Sequence, residues 1–193
     1  MAEIPEPLQE AAENARDKGF TRRVALTTAI YAVLLAITSL GGNNATKEML
    51  LAQQQSSDQW AFYQAKVIRE HQYRAQALRL DAELLERGKT MQSEARAKYE
   101  ELRKKFADEE KRYNAEKKDI EKEAKKLEHE RDRNKAKDPN FDFAEALLQI
   151  AIVIASVSIL STSRMLYGIS LVFAAVGVLL CGNGYLLLIT LPF

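Results

Sequence analysis

Cysteine is almost missing from this sequence. Cys181 is the only one, so no disulfide can form within the chain, and its place in an apolar run fits a small, soft packing residue. Proline is as scarce: after Pro7 the next is Pro139, and the last is Pro192. Between Gly42 and Gly168 the only glycine is Gly88. An excess of one charge is lacking too, since 28 Lys and Arg face 27 Asp and Glu for a net charge of +1. A nucleic-acid-binding segment carries a basic surplus with aromatic rings free to stack, so no nucleic-acid partner is expected. There is no His/Glu zinc pattern, no Gly-rich phosphate loop, no G-x-S-x-G elbow and no nucleophile beside a base. The only histidines, His71 and His129, have acidic neighbours, but a chain folded back at Gly88 pairs position 71 with about 105, as equal spacing about the turn requires. A non-enzymatic chain without cofactor or metal is expected.

What the sequence does contain is three long apolar runs. Val24 to Leu40 has no charged side chain and lies between Arg22-Arg23 and Gly41-Gly42-Asn43-Asn44. Phe143 to Leu160 and Met165 to Leu191 lie at the other end of the chain. A bilayer core takes about 20 apolar residues of helix, and shorter runs of about 17 suffice with their flanks. The segment before the first run is long and carries five carboxylates, and Thr38-Ser39-Leu40-Gly41 is a poor cleavage site, so an uncleaved anchor is expected rather than a signal peptide. Arg16, Lys18, Arg22 and Arg23 precede this span closely, against Lys47 after it. That bias places the N-terminus in the cytoplasm and the following segment outside it. Arg131, Arg133, Lys135 and Lys137 before the second run pull the other way, but the first helix usually dominates.

The charged middle is rich in Ala, Glu, Lys, Gln, Arg and Leu, the good helix formers. In its second half Tyr99, Leu102, Phe106, Tyr113, Ile120 and Leu127 fall on a 3.5-residue lattice, with Glu109, Glu116 and Glu123 at the points between. In its first half Ala61, Ala65, Ile68, Ala75, Ala82 and Leu85 make a narrower stripe. Both ends must return to one membrane face, whereas a straight helix of about 90 residues would end about 135 Å away. The segment must therefore turn. Arg87-Gly88 reads as a last turn with a left-handed glycine, and Thr90 as the cap of the next helix. Arms of about 45 residues, about 65 Å long, follow. Pro139 should stop the second arm, and Asp142 with Glu145 should cap the second span. Near the N-terminus, Pro7 could open a brief helix with Leu8, Ala11, Ala12 and Ala15 on one face.

Small residues form stripes along the spans: Ala25, Ala29, Ala32, Ala36 and Ser39; Ala151, Ala155, Ser158 and Thr162; Ser170, Ala174, Gly177, Cys181 and Gly184. Such stripes let helices approach closely within a bilayer, whether in one chain or between chains. Glu145 and Gln149, four apart on the second span, and Asn183 on the third are the candidate intramembrane polar site. Glu145 also fits a helix-start carboxylate at the interface, and Asn183 a break in the third helix. Trp60, Phe62 and Tyr63 are candidate interface aromatics, against the facing arm or a neighbouring protomer.

Asn44-Ala45-Thr46-Lys47, Trp60-Ala61-Phe62-Tyr63-Gln64-Ala65-Lys66 and Phe141-Asp142-Phe143-Ala144-Glu145-Ala146-Leu147-Leu148-Gln149-Ile150-Ala151 together resemble an uncharacterised bacterial family, the domain of unknown function numbered 4337. The resemblance covers most of the chain beyond its N-terminal tail. It implies a small bacterial membrane protein and carries over no catalytic residue.

The resulting expectation is an all-α integral membrane protein of the bacterial inner membrane. It has a cytoplasmic tail at 1–21, transmembrane helices at 22–42, 139–163 and 164–193, and an extramembrane, periplasmic antiparallel coiled-coil hairpin at 43–138 turning near Gly88. Its expected role is a non-enzymatic scaffold whose partners are the lipid bilayer and either itself, as a homo-oligomer, or other membrane proteins. The alternatives are a small oligomeric channel gated by the hairpin, with Glu145, Gln149 and Asn183 as its lining, and an accessory subunit of a larger membrane complex.

Overall fold

The computed structural model describes residues 6–189, with side chains from Asp17 onward. Three α-helices account for its order: α1 Glu6–Arg87, α2 Ser93–Leu160 and α3 Arg164–Leu186, and no strand occurs among the described residues. Each contains an 18-residue window long and apolar enough to cross a membrane, with mean hydropathies of 2.0, 2.2 and 2.2. The chain divides into two compact units, one formed by Met1–Met49 and Asp132–Phe193, the other by Leu50–Arg131.

Several local stops expected from the sequence do not occur. No brief helix opens at Pro7, because α1 runs unbroken from Glu6; the side-chain face of Leu8, Ala11, Ala12 and Ala15 lies outside the described residues. The second arm does not end at Pro139, which sits inside α2, and Asp142 therefore caps nothing. Proline removes one ladder hydrogen bond at a cost of about 3 kcal/mol, but the residues after it here are held by packing. Phe141 and Asn140 are fully or nearly buried, and Asn140 Nδ2 donates to Ala136 O at 3.1 Å. Helix α3 likewise continues through Gly182-Asn183-Gly184 to Leu186.

In the first unit the core is Val24, Tyr31, Leu148, Ala151, Ala155 and Ala174, with Phe20, Leu34, Ile152, Tyr167 and Phe173 packed on it. Ser161, Thr162 and Ser163 connect α2 to α3: Thr162 takes a left-handed φ of 51°, and the Ser163 hydroxyl accepts the Leu166 N–H to cap α3. Gly41 in α1 and Gly184 in α3 both receive the Phe141 ring. A Cβ on Gly41 would stand 2.5 Å from Phe141 Cε1, and one on Gly184 would stand 2.9 Å from its Cζ. Glycine inside a helix costs about 1 kcal/mol against alanine, and here it admits an aromatic ring.

In the second unit the two arms lie antiparallel. Gln53 meets Arg131, Trp60 meets Glu128, Lys66 meets Glu116, Arg74 meets Glu110 and Asp81 meets Arg103. The arms join through residues 88–92, and these cross-arm contacts show the register. Residue 71 therefore lies not opposite 105 but about two helical turns further along, because Glu70 bonds Asn114 and Lys117. Gly88 does end α1 as expected, though not in a left-handed conformation, since no glycine among the described residues has positive φ. Its requirement is space: a Cβ would lie 2.3 Å from Leu84 O. Thr90 does not cap α2, which begins at Ser93; its hydroxyl donates instead to Arg87 O at 2.9 Å.

Candidate functional site

The first candidate is the polar group inside the Leu50–Arg131 unit. Glu70 is 2% exposed although it is charged. Its Oε1 accepts from Asn114 Nδ2 at 2.8 Å, its Oε2 accepts from Lys117, and Arg74 stands 3.7 Å away. Burial by itself would raise the Glu70 pKa. The hydrogen bonds from Lys117 and Asn114 and the charges of Lys117 and Arg74 outweigh that, and the carboxyl stays below the ordinary glutamate range. Arg74 continues the group to Glu110 at 2.7 Å. Beside it Tyr73 stacks on Tyr113 with centroids 5.6 Å apart and planes 10° from parallel, and Tyr73 also meets Phe106 at 5.9 Å. Lys66 bonds Glu116 at 2.5 Å and lies 5.1 Å from the Tyr113 ring centre. In this group Glu70, Arg74, Lys66 and Lys117 each have a partner of opposite charge, an arrangement that holds two helices in register.

The expected aromatic cluster divides. Trp60 is half-buried, donates through Nε1 to Glu128 Oε1 at 3.0 Å and meets Tyr63 edge-on at 5.4 Å. Phe62 is 51% exposed, with Lys66 Nζ 5.0 Å from its ring centre.

The stripe positions of the arms also part ways. Phe106 and Leu102 on α2 are half-buried, and Tyr113 and Leu127 are buried against α1. Ala61, Ala65, Ile68, Ala75, Ala82 and Leu85 on α1 are all exposed. The face α1 turns inward instead carries Ala52, Ser56, Glu70, Tyr73, Ala77 and Leu84. Sequence reading passed over that face because it mixes a carboxylate and a hydroxyl with alanines. Its signal was a four-three spacing indifferent to polarity.

In the first unit, Ala151, Ala155 and Ser158 of α2 and Ser170, Ala174, Gly177 and Gly184 of α3 are buried, and Cys181 is half-buried. A Cβ on Gly177 would lie 3.2 Å from Ala144 O, so the two backbones approach closely there. Thr162 is exposed in the connection. On α1, Ala25, Ala29, Ala32 and Ala36 are exposed and Ser39 is half-buried, whereas Val24, Tyr31, Thr38 and Gly41 face the bundle.

Glu145 and Gln149 come together, with Gln149 Nε2 donating to Glu145 Oε1 at 3.2 Å; Glu145 is half-buried and Gln149 exposed. Asn183 has other partners. Its Nδ2 donates to Asn140 Oδ1 at 2.6 Å and to Ile189 O at 2.7 Å, and its Oδ1 accepts the Ile189 N–H at 3.0 Å. It holds the end of α3 and ties that helix to α2. Asn140, fully buried, was hidden in the sequence by the helix stop read at Pro139.

Among the described residues no group of three or more His, Cys, Asp or Glu is placed to hold a metal ion. No curated protein and no solved structure matches the chain. The family description that does match is Domain of unknown function (DUF4337), over residues 20–187, and the chain belongs to that family.

Proposed function

We propose that this chain is a membrane-anchored scaffold: its three apolar helix segments cross a bilayer, and its charged arms form a coiled-coil hairpin that serves as a protein–protein surface. The observation that carries the reading is the contrast between the two units. The outer surface of the first is aliphatic, with Leu26, Val33, Val153, Val172 and Leu179 each more than half exposed. A soluble monomer rarely shows so large an apolar surface, whereas lipid covers it at no cost. In the second unit interior charges such as Lys66–Glu116, Arg74–Glu110 and Lys117–Glu70 are paired across the two arms, which suits a structural rod.

The charge bias about the first span supports a cytoplasmic N-terminus and a periplasmic hairpin, and the family resemblance supports a bacterial inner membrane. An alkaline carbonate wash of membranes tests the anchor: the chain should stay in the pellet and leave only with detergent. Release by carbonate would remove the reading. Chemical cross-linking in native membranes tests the scaffold half, with products at multiples of 21.8 kDa expected.

The hydrogen-bonded pair Glu145 and Gln149 favours one second reading, an oligomeric channel lined by that face of α2. Reconstituted vesicles decide it. Ion or proton flux lost in Glu145→Gln protein that still assembles would establish the channel, and absence of flux in the unaltered protein would exclude it.

A further inference from the structure

The α1 arm of the Leu50–Arg131 unit carries two seams at three- and four-residue spacing, and its own partner arm uses only one. Glu70, Tyr73, Ala77 and Leu84 face α2. On the other side Ile68, His71, Ala75, Leu78, Ala82 and Leu85 repeat at three and four residues, and every one of them is exposed. Ile68 is 58% exposed, Leu78 62% and Leu85 88%. This spacing is the a/d pattern of a coiled-coil seam, and none of the described residues covers it.

We propose that this second seam binds the same seam of a second copy, antiparallel, about a two-fold axis near residues 76 and 77. The inference rests on the self-associating scaffold reading above and names the surface that does the associating. Charges beside the seam decide the direction. In a parallel, in-register pair the flanking positions bring Arg74 beside the partner's Arg79 and Asp81 beside the partner's Glu86, two like-charge contacts on each side. In the antiparallel pair Ile68 layers on the partner's Leu85, His71 on the partner's Ala82 and Ala75 on the partner's Leu78. Arg74 then lies beside the partner's Asp81, twice over by symmetry. Those two residues already hold Glu110 at 2.7 Å and Arg103 at 3.0 Å on their own α2, so the second copy completes a row of four charges of alternating sign. The inner seam is untouched, and both can be filled at once.

The test uses the full chain in mild detergent with its single cysteine removed by Cys181→Ser. One pool carries Ile68→Cys, another Leu85→Cys, and the two are mixed, left to exchange subunits and oxidised. The expected product is the mixed disulfide between positions 68 and 85, at several times the yield of either symmetric disulfide. Leu78→Asn, at an exposed site that does not endanger the fold, should lower that yield at least tenfold. Predominance of the symmetric position-68 disulfide would overturn the antiparallel seam. A native mass that is a multiple of 21.8 kDa without the mixed disulfide would overturn the seam and leave the scaffold standing. A monomer of 21.8 kDa would overturn both.

Discussion

Glu70 shows how much one side chain decides here. Buried at 2% exposure, it is tolerated because Lys117, Asn114 and Arg74 surround its carboxylate. Removing it leaves the Lys117 ammonium without its acceptor in a half-buried place. Glu70→Ala should therefore cost about 3 kcal/mol, against well under 1 kcal/mol for Glu100→Ala, whose exposed pair with Arg96 is an ordinary surface contact. Thermal loss of helicity in detergent measures both. Because the folded pKa of Glu70 lies below its unfolded value, its contribution is fully present above that unfolded value. It is lost as the pH falls through the lower folded value, so the arms should loosen on acidification, and Glu70→Gln should flatten that dependence. None of this could be read beforehand. In the sequence Glu70 is one glutamate among many on a charged helix, and only the register of the arms brings Asn114 and Lys117 to it.

At the scale of elements, composition announced helices and periodicity announced the faces, but not which face meets which. On α2 the aromatic and aliphatic stripe was legible because its bulkiest members, Phe106, Tyr113 and Leu127, are those packed on α1. On α1 the aliphatic stripe pointed outward, while the inward face was written in Ala, Ser, Glu and Tyr. The turn was legible from Gly88, but neither its five-residue length nor the register of the arms was. Pro139 misled because a local rule met tertiary packing. The buried Asn140 and Phe141, fixed against Asn183, Gly41 and Gly184, carry the helix past it. The glycines make this checkable. Gly184→Leu should displace the Phe141 ring and destabilise the first unit by about 1–3 kcal/mol, the usual cost of overpacking. Adding Phe141→Ala should recover part of that loss, whereas Gly168→Leu, where a Cβ meets nothing within 4 Å, should be nearly neutral. Thermal unfolding of the three variants in one detergent compares them directly.

For the whole molecule, the apolar runs and their helical length were legible from the sequence, since span length and charge exclusion are properties of a segment alone. Association is not such a property, because it depends on what each face leaves uncovered once the chain has folded. Ala25, Ala29, Ala32 and Ala36 leave one small-residue face of α1 uncovered, and Ile68 to Leu85 leave one aliphatic seam uncovered. The most direct measurement is the native mass and composition of the complex extracted gently from its own membrane. The scaffold account predicts a homogeneous complex at a whole multiple of 21.8 kDa containing this chain alone. A single 21.8 kDa chain, or a mixed complex in which this chain is one subunit among cofactor-bearing ones, would contradict it.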